Sequence, residues 1–71
     1  MEYNMEIQFT IPDKYEDKKQ LVKRMITKYQ GSFNITETKN DSFFIVEFKE
    51  ETTGRVFRKE LDALIPDLHK Y

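Results

Sequence analysis

Through its first eleven residues the chain alternates without a fault: Tyr3, Met5, Ile7, Phe9 and Ile11 are apolar, and Glu2, Asn4, Glu6, Gln8 and Thr10 are polar. A period of two over that length specifies a strand with one buried face and one wet face. The chain is therefore expected to be ordered from its start, with no leader before the first strand. Pro12 closes the strand, because it offers no donor to a ladder.

A change of period follows. Asp13 and Glu16 have the spacing of a capping-box variant that opens a helix. Leu21, Val22, Met25, Ile26 and Tyr29 then form one apolar stripe at i, i+3, i+4 spacing, with Glu16, Lys19, Gln20, Lys23, Arg24 and Thr27 opposite. Gly31 stands where a helix commonly ends in a left-handed residue.

Beyond Ser32 the alternation returns. A two-residue turn at Asn40-Asp41 pairs Ile35 with Val46 and Phe33 with Phe48, with both pairs on one face. A second turn near Thr52-Thr53-Gly54 brings Phe57 opposite Phe48 and Arg58 opposite Glu47. Leu61, Leu64, Ile65 and Leu68 return to helical spacing, interrupted by Pro66, so a tight turn and a short helix are expected there. The predicted fold class is α+β, in the order β-α-β-β-β-(short α). It consists of a mixed four-stranded sheet with one long helix packed on one face, and the first strand lies at an edge.

Seventy-one residues make one domain, residues 1–71. A domain of this size buries only about 60% of the surface its unfolded chain exposes, so it needs a dense core or a partner. Disulfides and thiolate chemistry are excluded by the lack of cysteine, and a single histidine, His69, does not make a zinc site. His69 reads as a surface residue near the chain end. Ten of the residues are Phe or Tyr, which is ample material for a core. The net charge of −1 provides no overall basic field for nucleic acid or anionic membrane. No apolar run approaches the roughly 20 residues that span a bilayer. A reducing, cytoplasmic setting is expected.

Three surface features are candidates for function. Phe43, Ile45 and Val56 point away from the predicted core face, so they form a protein-interaction patch unless the C-terminal segment lays Leu64, Ile65 and Leu68 over them. Lys19, Lys23, Arg24 and Lys28 give the long helix a basic face suited to phosphate contact. Glu47, Glu50, Glu51 and Glu60 make the second hairpin acidic, so the molecule is electrically bipolar and suited to steered protein docking. The two serines sit in no nucleophile elbow and the two glycines form no phosphate loop. No catalytic residue, cofactor or metal ligand is assigned.

The expected function is a small, non-enzymatic protein-interaction module, a regulator or inhibitor of a larger protein. The short format also suits phage or plasmid accessory proteins. The alternative is a nucleic-acid-binding module using the basic helix around residues 18–28. A homodimer is compatible with either.

Overall fold

The computed structural model describes the backbone of residues 4–70 and the side chains of residues 4–68. Tyr3, the first apolar position of the alternation, and the side chain of His69 therefore lie outside the described residues.

The alternating segment forms β1 (Met5–Pro12), whose odd-numbered residues Ile7, Phe9 and Ile11 are buried. A single 3-10 turn over Asp13–Tyr15 leads into α1 (Glu16–Lys28). The expected capping box is not made, since no side chain caps this helix. Then come β2 (Ser32–Glu37), β3 (Asp41–Phe48), α2 (Glu51–Leu64) and a two-residue strand, β4 (His69–Lys70).

The mixed four-stranded sheet with one long helix is not what forms. β1, β3 and β2 make a three-stranded antiparallel sheet with β3 in the middle, and two helices cover it. β4 adds only a short pairing against Phe9 and Thr10. The predicted third meander strand is the helix α2. Its buried face is Gly54, Phe57 and Leu61, continued by the half-buried Leu64. That is helical spacing, uninterrupted by proline until Pro66. Gly54 is no turn residue: a Cβ there would sit 2.5 Å from Met5 Sδ, so the missing side chain lets α2 lie close to β1. With residues 51–64 helical, the far side of β3 is open to β1. The first strand consequently lies beside β3, flanked on its other side by β4, and is not the free edge the sequence suggested.

Phe57 does meet Phe48, with ring centroids 5.1 Å apart, but from a helix onto a strand. Arg58 is exposed on α2, and the strand partners of Glu47 are Glu6 and Ser32. The β2–β3 hairpin also differs in register, pairing Ile35 with Phe44 and Phe33 with Val46. Its two-residue turn is Lys39-Asn40, clamped by the Thr38 amide donating to the Asp41 carbonyl at 2.9 Å. The Thr38 hydroxyl reinforces this clamp by donating to the same carbonyl and to the Asp41 carboxylate. A two-residue slip leaves every side chain on its expected face.

Five phenylalanines run through the core in continuous ring contact. Phe33 neighbours Phe44, Phe44 stacks on Phe9 at 5.0 Å, and Phe9 and Phe48 both meet Phe57. Val22 and Ile26 from α1, Leu61 from α2, and Ile65 and Leu68 after it complete this single cluster. The C-terminal leucines thus join the helix-side core and do not fold over the outer face of the sheet.

The buried face of α1 is rotated from the predicted stripe. Lys19 is only 8% exposed, while Leu21 is 44% exposed. The Lys19 ammonium lies 3.9 Å from Asp13, at the turn before the helix. The helix ends in a Schellman arrangement, with Gly31 N–H donating to Ile26 and Gln30 N–H to Thr27. Gln30, not Gly31, adopts the left-handed conformation, at φ 60°. Gly31 is small for another reason: a Cβ there would meet the Phe48 ring at 2.6 Å.

Two tyrosines pin α1 to the C-terminal half. The Tyr15 hydroxyl donates to Asp67 and the Tyr29 hydroxyl donates to Glu60 on α2. At both places the preceding lysine, Lys14 or Lys28, approaches the same carboxylate and lies over the tyrosine ring.

Candidate protein-interaction face

Both helices pack on one side of the sheet, because the inward residues of β1 and β3 belong to the same cluster as Val22, Ile26, Phe57 and Leu61. The other side is built from the alternate residues of each strand, and the pairing arranges them in rows. Thr10, Phe43 and Thr36 form one row; Gln8, Ile45 and Asn34 form the next; Glu6, Glu47 and Ser32 form the last. An apolar strip, Phe43 and Ile45, therefore runs down the middle, bordered by hydroxyl and amide side chains. Both residues are partly exposed.

The last row is unusual. Glu6 and Glu47 stand directly opposite one another on neighbouring strands, both exposed. Like charges in that position repel and destabilise a sheet. The Gln8 amide donates to Glu6 at 2.9 Å and gives partial relief on one side. Beside this pair lies a shallow pocket of about 270 Å³, lined by Glu6, Ser32, Phe33, Asn34, Ile45 and Glu47. It joins two carboxylates to the edge of an apolar side chain, which suits a cation carried next to an apolar group.

Of the residues singled out in the sequence, Phe43 and Ile45 share this face. Val56 does not: it is 45% exposed on α2, on the helix side of the sheet. Alternation puts Val56 on the outer face only if its segment is a strand, and the segment is a helix.

The basic set is dispersed as well. Lys19 is buried beside Asp13, and Lys28 lies 3.8 Å from Glu60. Lys23 is half-buried and Arg24 exposed. Of the acidic set, Glu51 pairs with Arg55 one turn along α2, and Glu60 receives Tyr29.

The Glu6–Glu47 pair escaped sequence reading because it depends on which strand neighbours β3. Alternation puts both residues outward, but only the strand order brings them together.

Ser32 is exposed on the outer face, and Ser42 is buried on the inner one. Among the described residues no group of His, Cys, Asp or Glu side chains is placed to hold a metal ion. No helix among them is long and apolar enough to cross a membrane. No protein-family model, curated protein or solved structure matches the chain.

Proposed function

We propose that this chain is a small protein-binding module that uses the outer face of its sheet. The partner is a protein presenting a lysine or arginine beside an apolar side chain. The observation that carries this reading is the Glu6–Glu47 row at the end of the Phe43–Ile45 strip. Two carboxylates held side by side weaken the isolated domain, and a partner cation relieves the repulsion. The apolar strip beside them supplies burial, and the polar borders supply hydrogen bonds, as at a typical interface rim. Regulation or inhibition of a larger protein is the role that fits a domain of this size with one such face.

The test is capture from host lysate with purified, immobilised protein, comparing wild type with Ile45→Lys and Glu47→Lys after nuclease treatment. The reading expects a protein retained by wild type and lost from both variants. Retention undiminished by either substitution would overturn it. So would capture that disappears with nuclease and falls by orders of magnitude from about 50 to 200 mM salt, the behaviour of phosphate-driven binding.

A further inference from the structure

The second surface of interest is an edge, not a face. Among the described residues β2 pairs on one side only, with β3. All of its residues except Ile35 are exposed. Natural edge strands are blunted by charged side chains, proline, bulges or very short length, and on β2 the one such device is Glu37 at its hairpin end, with no proline, lysine or bulge elsewhere. From Ser32 to Thr36 the edge is uncharged, and all six residues, Ser32-Phe33-Asn34-Ile35-Thr36-Glu37, pair with β3 in unbroken register. The opposite margin of the sheet differs, since β4 pairs with β1 there.

The direction of the free backbone groups follows from the hairpin. Thr38 and Asp41 form a hydrogen-bonded pair at the turn. Antiparallel pairs alternate between bonded and non-bonded along the ladder. Thr36, Asn34 and Ser32 therefore direct their amides and carbonyls at β3. Phe33, Ile35 and Glu37 direct theirs outward, ready for another strand.

We infer that the β2 edge pairs antiparallel with β2 of a second copy of this chain, about a two-fold axis through Asn34. In that register Phe33 lies opposite Ile35 of the second copy, and Ile35 opposite its Phe33. Two apolar pairs then meet on the helix side of the sheet, where Phe33 is otherwise 37% exposed. Sliding the register two residues toward the hairpin sets Phe33 against Glu37 and leaves one apolar pair, Ile35 with its own copy, in place of two.

Charge also fits a second copy. The only ionised side chain of the strand is Glu37, which falls opposite Gly31 of the second copy. The two Glu37 side chains are then separated by about 20 Å along the strands. With a net charge of −1 the two molecules repel little. The result is a continuous sheet through both copies, closed by symmetry. The interface is an edge and the outer-face reading concerns a face and a different protein, although Phe33 and Asn34 also line the pocket on that face.

The chain has no cysteine, so a single introduced thiol reports on one position. Asn34 is exposed and faces outward, and in this register it stands opposite itself in a non-bonded pair. The Cα separation there, about 4.5 Å, is within disulfide range. Asn34→Cys is expected to form a covalent dimer under mild oxidation, while Glu37→Cys, carried away from the axis, is expected to form no disulfide-linked dimer. Light scattering of wild type at high micromolar concentration is expected to give twice the 8.6 kDa chain mass. Asn34→Glu, which sets two carboxylates together on the axis, is expected to return the monomer mass with an unchanged circular dichroism spectrum. A wild-type monomer at all concentrations would overturn the inference. A dimer that Asn34→Cys does not trap, or that Asn34→Glu leaves intact, would overturn it equally. Each of these measurements uses purified protein alone, so its failure is distinct from failure to find a partner for the outer face.

Discussion

The Tyr15 hydroxyl donates a 2.6 Å hydrogen bond to the carboxylate of Asp67, tying the turn before α1 to the turn after α2. This bond holds the Asp67 carboxyl below its ordinary value of 3.8, with help from a backbone hydrogen bond and the Lys14 charge and some opposition from burial. The same bond raises the Tyr15 phenol above its ordinary 10.0, with burial and the Asp67 charge acting in the same direction and Lys14 opposing. A depressed carboxyl contributes stability above its unfolded pKa, which is lost as pH falls through the folded value. A raised phenol contributes below its unfolded pKa, and that part is lost as pH rises through the folded value. Tyr15→Phe is therefore expected to lower Tm at neutral pH, with the difference from wild type closing both in strong acid and above pH 10. Thermal melts across pH would show this. A constant gap would mean that the hydroxyl acts by packing alone.

Tyr29 gives the alkaline half of the same experiment. Its phenol is raised first by donating to Glu60, then by burial and the Glu60 charge, against the opposing Lys28. Tyr29→Phe is expected to show a stability deficit at neutral pH that narrows as pH rises through the raised phenol value.

Gly31 and Gln30 are expected to respond to substitution in opposite ways. Gly31→Ala drives a methyl into the buried Phe48 ring and against Ile26, which costs about 1–3 kcal/mol as overpacking. Gln30→Gly releases a left-handed residue, a relief of roughly 1–2 kcal/mol. The extra freedom of the unfolded chain takes back about 0.4–1 kcal/mol of that. Urea midpoints should fall for the first variant and hold or rise for the second.

Ser42 is 1% exposed, and its hydroxyl has no hydrogen-bond partner among the described residues. An unpaired buried hydroxyl costs about 1–3 kcal/mol. Ser42→Ala is expected to raise the urea midpoint without changing the m-value. An unchanged or lower midpoint would show that the hydroxyl is satisfied.

Lys19 presents a similar case with a charge. Its only carboxylate among the described ion pairs is Asp13, at 3.9 Å, a weak pairing for a side chain whose residue is only 8% exposed. Lys19→Met keeps the length of the side chain and removes the charge, and stability is expected to rise by about 1 kcal/mol. Asp13 is half-exposed and stays hydrated.

The parts of this fold legible from sequence are those with one buried face and one exposed face. β1 and α1 announce themselves because single-sided burial imposes its period on the residues. α2 does not, because Val56 beside Phe57 imitates a β-branched and aromatic strand, and Gly54 imitates a turn. The helix is still written there, in Gly54, Phe57, Leu61 and Leu64, but the glycine must be counted as part of the buried face. Lys19 defeats the polar-out rule because its stem fills space that an apolar residue would otherwise take. The candidate face was half legible: Phe43 and Ile45 follow from alternation, Val56 is lost because its segment is a helix, and the Glu6–Glu47 row depends on strand order, which no local pattern encodes.

Phe9 stacks on Phe44 and meets Phe57, and both of these rings come from the second half of the chain. During synthesis, the first strand emerges with an apolar face and nothing to set against it. The hairpin and α1 follow, but the cluster lacks its closing rings and leucine until Phe57 and Leu61 have left the ribosome. No N-terminal fragment is therefore a smaller version of this protein, and the cost of contacts between such distant residues must be met before they reward the chain. Folding waits for α2, and a ribosome stalled before it would display an unfinished, adhesive nascent chain.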